Sequence, residues 1–151
     1  LAGRVGANTT FDIGVDELSE QSISILGGRG GTMMGRLGFS LAAGDVLSPG
    51  DGVPDIVIAA PFTSGDVQRL RNVEAGAVFV VDGATLPAFG SVIDGIVNAS
   101  AAQAWGQNRH DRMGAALAVG KIDPEASDGL SGVLVGAPTS SSNGTEMAGR
   151  V

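Results

Sequence analysis

The stretch Arg36-Leu37-Gly38-Phe39-Ser40-Leu41-Ala42-Ala43-Gly44 returns further along the chain as Arg112-Met113-Gly114-Ala115-Ala116-Leu117-Ala118-Val119-Gly120. In the first copy Leu37, Phe39, Leu41 and Ala43 alternate with Gly38, Ser40, Ala42 and Gly44. In the second, Met113, Ala115, Leu117 and Val119 alternate with Gly114, Ala116, Ala118 and Gly120. A strand sends successive side chains to opposite faces, so this period of two predicts β-structure with large residues on one face and very small ones on the other. A face open to water would carry polar residues. Glycine and alanine there predict that another sheet packs closely against it.

Working outward, the same order of segments follows each copy. Asp55-Ile56-Val57-Ile58-Ala59-Ala60-Pro61 corresponds to Gly132-Val133-Leu134-Val135-Gly136-Ala137-Pro138. Ala2-Gly3-Arg4-Val5, Ala75-Gly76-Ala77-Val78 and Ala148-Gly149-Arg150-Val151 start at evenly spaced positions. The runs Ile56 to Ala60 and Val133 to Ala137 are continuously apolar, as expected of strands covered on both faces. Val78 to Val81 reads as a third strand, and Ser22 to Leu26 and Ala101 to Trp105 as a fourth. Sustained helical periodicity is absent. Two repeat units, about residues 3–75 and 76–148, thus fill a single segment spanning 1–151. Four short strands per repeat is the pattern of a β-propeller blade. The fold class predicted is all-β, with blades of four antiparallel strands and about two blade-equivalents. Propellers typically close with about four to eight blades, so the segment is expected to belong to a larger or oligomeric propeller.

Composition narrows the function. Hydrophobic residues make up 43% of the chain and charged residues 17%, which is no disordered composition. The 25 glycines show no period of three, which excludes collagen and fits short strands joined by tight turns. The net charge of −7 argues against nucleic acid, whose phosphates need a basic surface. No apolar run reaches the ~20 residues of a membrane helix, so no membrane insertion is expected. The absence of cysteine excludes disulfides and thiolate metal sites.

In their order, these segments resemble the FG-GAP repeat of integrin α-subunit propellers and related bacterial surface proteins. The family pattern is a Phe-Gly strand, an aspartate-rich loop, an apolar strand ending Gly-Ala-Pro, and a Gly-x-Val strand. Here it stands as Leu37-Gly38 and Met113-Gly114, Ala59-Ala60-Pro61 and Gly136-Ala137-Pro138, and the Ala-Gly strands. The resemblance implies Ca2+ in the loop joining the first two strands, since calcium takes roughly six to eight hard oxygen ligands. In the first unit the implied ligands are Asp45, Ser48, Asp51, the carbonyl of Val53, and Asp55. Gly52 permits the sharp turn, and Asp45 sits two residues further away than in the family. In the second loop Lys121 and Gly132 replace the first and last carboxylates. Asp123 and Asp128 are the candidate ligands there, and calcium should be weakened accordingly.

The resemblance also implies a ligand-binding face on the side opposite the calcium loops. Carried over by position, that face includes Arg69, Arg71, Arg109, His110 and Asp111, and its basic residues suit an acidic ligand. The neighbouring His110 and Asp111 invite a catalytic reading. Adjacent side chains rarely meet productively, however, and neither a Gly-x-Ser-x-Gly elbow nor a cysteine nucleophile is present. No enzymatic activity is expected. Trp105 is expected to fill a blade core. The function implied is an extracellular or cell-surface module with structural calcium, mediating adhesion or binding of a protein or glycan. Its partners would include other blades or copies of itself. Alternatives are a self-assembling structural subunit, or an accessory domain of a secreted hydrolase.

Overall fold

The computed structural model describes residues 2–3, 22–27, 35–47, 51–64, 73–122, 130–141 and 147–151. The apolar segments in the middle of the chain pair in sequence order. Strands β3 (Ser40–Gly44), β4 (Asp55–Ala60), β5 (Ala77–Val81) and β7 (Ala102–Trp105) form one antiparallel meander. Its register sets Leu41 opposite Ile58 and Ile58 opposite Phe79 on one face. Ala42, Val57 and Val80 share the other face. Slipping the register by one residue would exchange these faces, so burial fixes it. Strands β8 (Ala116–Gly120) and β9 (Gly132–Gly136) form a second antiparallel sheet. Near the N-terminus β1 (Ala2–Gly3) pairs antiparallel with β2 (Ser22–Leu26), which runs parallel to β6 (Val92–Asp94). The only helices among the described residues are short: a 3-10 turn at Gly83–Thr85 and α1 (Ile96–Ala99). The described fold is all-β.

The meander is covered on both faces. On one, Ile58, Phe79, Val81 and Ile96 form a buried cluster sealed by Ile25, Leu37, Ile93, Val97 and Trp105. Trp105 meets Phe79 edge to face, with centroids 5.6 Å apart, and so fills this core as expected. On the other face, Val57, Ala59 and Val78 pack against Met113, Leu117, Val119, Val133 and Val135 of the second sheet. Fully burying one such aliphatic side chain contributes about 1.5–3 kcal/mol. The small residues of β3 are what let the sheets approach: a Cβ on Gly44 would stand 2.4 Å from Val119 Cγ1.

The two repeats coincide in backbone detail. Gly38 and Gly114 have φ of 86° and 89°, and Arg36 and Arg112 have φ of 59° and 52°. Glu74 and Met147, both non-glycine, have φ of 50° and 52°. Gly38 N–H donates to the Ala59 carbonyl at 2.9 Å, and Gly114 N–H to the Gly136 carbonyl at 3.0 Å. Gly76 N–H reaches the Thr63 carbonyl at 3.0 Å, and Gly149 N–H reaches that of Ser140 at 2.9 Å. Thr63 and Ser140, at equivalent positions, are both buried.

Two expectations need correction. The alternating strands do not start at Leu37 and Met113. Residues 35–38 form a turn, and β3 and β8 start only at Ser40 and Ala116. The left-handed backbone at Arg36 and Gly38 cannot continue a strand. The run Val133 to Ala137 is not covered on both faces either: Leu134 is 45% exposed, whereas its counterpart Val57 is 0% exposed. The face of β8 and β9 that carries Ala116, Ala118 and Leu134 is open.

Candidate functional site

The acidic loop leaves β3 at Gly44 and enters β4 at Asp55, and these two residues pair across the hairpin. Asp55 is 0% exposed. Its Oδ2 accepts the N–H groups of Val46 and Leu47, each at 2.8 Å, and its Oδ1 accepts that of Gly83 at 3.1 Å. Burial alone would raise its pKa. The Val46, Gly83 and Leu47 N–H groups outweigh burial and hold the carboxyl below its ordinary value of 3.8. Asp55 thereby ties its own loop to the turn that follows β5. Gly83 can take part because it lacks a side chain: a Cβ there would lie 2.1 Å from the Pro54 carbonyl oxygen. Sequence reasoning missed Gly83, since the contact spans distant positions and no motif marks it.

Asp51 is exposed, and its Oδ1 accepts the Val53 N–H at 2.8 Å. Gly52 between them has φ of 70°, the sharp turn expected there. Asp45 is half-buried, with Oδ1 fully enclosed and without a hydrogen-bond donor among the described residues. Its backbone carbonyl accepts the Ser131 N–H at 2.8 Å, which brings the two β-hairpin loops to the same end of the sheets. Ser48, Asp123 and Asp128 lie outside the described residues.

These groups fit a hard cation unevenly. Asp45 offers a buried, unpartnered carboxylate oxygen, and Asp51 offers Oδ2. Each carboxylate oxygen has about two acceptor sites, so Asp55 keeps one on Oδ1 and none on Oδ2. Among the described residues no group of three or more acidic or histidine side chains converges on one point. In the second loop the space that Asp55 takes in the first is apolar: a Cβ on Gly132 would stand 2.5 Å from Ile122 Cδ1.

At the opposite end of the strands a second cluster forms. Glu74 Oε2 accepts from Arg112 Nη2 at 3.0 Å and Nε at 3.3 Å, and it lies 3.3 Å from His110 Nδ1. Arg112, then His110, hold the Glu74 carboxyl below its ordinary value. The His110 carbonyl accepts the Thr139 hydroxyl, and its N–H donates to the Val73 carbonyl at 2.8 Å. Arg36 and Arg112 both lie over the Phe62 ring, 4.4 and 5.3 Å from its centroid. The structure thus brings His110 and Arg112, before β8, together with Val73 and Glu74, before β5, and Thr139, after β9. Arg109 and His110 are exposed there. Asp111 is not part of that surface. It is 5% exposed, and its Oδ2 accepts from Asn108 N–H at 3.0 Å and Nδ2 at 3.2 Å. Nor does it orient His110, which turns to Glu74 instead. Arg69 and Arg71 lie outside the described residues. Glu74 carried no sequence signal, because its partners are remote in the chain.

Among the described residues no helix is long and apolar enough to cross a membrane. No protein-family model matches the chain, and no curated protein is similar to it.

Proposed function

We propose that the chain is a segment of an extracellular or cell-surface β-propeller of the FG-GAP type, which binds a protein or glycan partner and takes structural calcium in its first acidic loop. The observation that carries this reading is the repetition. Equivalent residues of the two units share left-handed backbone and hydrogen bonds, and the second sheet stacks on the first as successive blades do. Calcium is supported by the enclosed Asp45 Oδ1, which has no donor among the described residues, and by the Asp51-Gly52 turn of the same loop. Asp45, Asp51, the Val53 carbonyl, Ser48 and the remaining site on Asp55 would hold the ion. The ion would neutralise the carboxylates and rigidify the loop. The partner-binding surface would be the exposed Arg109–His110 stretch, held in place by the Glu74–Arg112 ion pair, with Arg109 as its charged group toward an acidic ligand.

Thermal unfolding with calcium and then with chelator tests the metal. Calcium at 100 times its dissociation constant adds about 2.7 kcal/mol of stability. Asp45→Asn and Asp51→Ala are expected to remove most of that gain, and Asp128→Ala to leave it intact. No gain at millimolar calcium would refute the metal, and an equal loss in Asp128→Ala would refute its assignment to the first loop.

A further inference from the structure

The pairs Asp51-Gly52 and Asp82-Gly83 are folded alike and surrounded differently. Asp51 Oδ1 accepts the Val53 N–H and Asp82 Oδ1 accepts the Ala84 N–H, each at 2.8 Å. Both are Asx turns, in which an aspartate side chain bonds the main chain two residues on. Such a turn folds the carboxyl carbon back toward the nitrogen of the intervening residue. That is the approach needed to close a five-membered ring, and glycine puts no side chain in its way.

The two glycine nitrogens differ. Gly83 N–H donates to Asp55 Oδ1 at 3.1 Å, and Gly83 is pressed so tightly on Pro54 that a Cβ would stand 2.1 Å from its carbonyl oxygen. Gly52 is exposed, its N–H has no acceptor among the described residues, and nothing lies within 4 Å of where its Cβ would be. Asp51 and Val53 on either side are exposed as well. A third pair, Asp94-Gly95, ends β6, where Asp94 pairs with Leu26. Extended backbone there carries the next nitrogen away from the carboxyl.

We propose that Asp51 is a site of spontaneous modification to isoaspartate, while the fold protects Asp82. The Gly52 nitrogen attacks the carbon of the protonated Asp51 carboxyl. The carboxyl hydroxyl leaves with the amide proton as water, and a cyclic imide remains. Water then reopens the ring at either carbonyl. Opening at the former main-chain carbonyl gives isoaspartate, in which the main chain runs through the old side chain, one carbon longer, and the free carboxylate hangs from Cα. At Asp82 the same attack must first break the Gly83 bond to a charged carboxylate, which slows it roughly tenfold or more. The change falls in the loop proposed above to take calcium, but the chemistry is independent of that reading.

Ageing the whole chain at neutral pH with chelator, followed by peptide mapping with fragmentation that separates the two isomers, tests it. Isoaspartate should accumulate at residue 51 at least about tenfold faster than at residue 82 or 94. In urea, where the turns and the Gly83 bond are lost, residues 51 and 82 should convert at similar rates. Equal conversion at 51 and 82 in the folded chain would overturn the proposal. So would a residue 51 that stays unchanged while the urea-treated chain converts, or a preference for 51 that is as large in urea as in the fold.

Discussion

Asp55 is a buried carboxylate kept charged by three backbone N–H groups, and its stability contribution is therefore pH-dependent. Its folded pKa lies below the ordinary 3.8, so the contribution is complete above about pH 5 and is lost as pH falls through the lower folded value. Urea unfolding of Asp55→Asn should lack this acid-side loss, while wild type shows it. Asp55→Ala strands three backbone donors, two in the loop and one at Gly83, and should cost at least about 3 kcal/mol at pH 7. Only half of this was legible in the sequence. An aspartate opening a buried strand after an acidic loop is visible by position and spacing. That its oxygens go to Val46, Leu47 and Gly83 depends on how the turn after β5 folds back, which no local pattern encodes.

Strands β3 and β8 carry the same alternation yet bury opposite faces. In β3 the small face, Ala42 and Gly44, meets the neighbouring sheet; in β8 the large face, Leu117 and Val119, does. The equivalent glycines Gly38 and Gly114 therefore differ in surroundings while sharing a left-handed φ. Gly38→Ala adds only backbone strain, about 1–2 kcal/mol. Gly114→Ala adds the same strain and a clash with Ala59 that costs about 1–3 kcal/mol more. Denaturant unfolding at concentrations where the chain is monomeric should rank them so. Equal costs would mean that the second sheet does not sit tightly on the first.

Across the molecule, one layer of side chains serves both sheets. Val57, Ala59 and Val78 belong to the first sheet and are buried by Leu117, Val119, Val133 and Val135 of the second. Neither sheet hides that layer alone, so the two should unfold together. Trp105, the single tryptophan, packs in the first sheet's other core and reports on that sheet. Leu117→Ala, on the second sheet, should nonetheless lower the midpoint of the tryptophan transition, with far-UV circular dichroism moving in step. The expected cost is about 2 kcal/mol, the low end for such truncations because Leu117 is only half-buried. A tryptophan transition unmoved by that substitution would show two independent units.

By itself the sequence determined the class of the fold, the strand segments other than β6, and their repetition. Period-two alternation and apolar runs are local consequences of the two-faced geometry of a strand, and a repeated unit writes them twice. Tertiary structure alone decided where the strands begin, which face of each is covered, and what Asp55, Asp111 and Glu74 touch. Those outcomes depend on a neighbouring sheet or a returning loop far away in the chain, and on left-handed residues such as Arg36 and Glu74 whose side chains give no hint of their backbone.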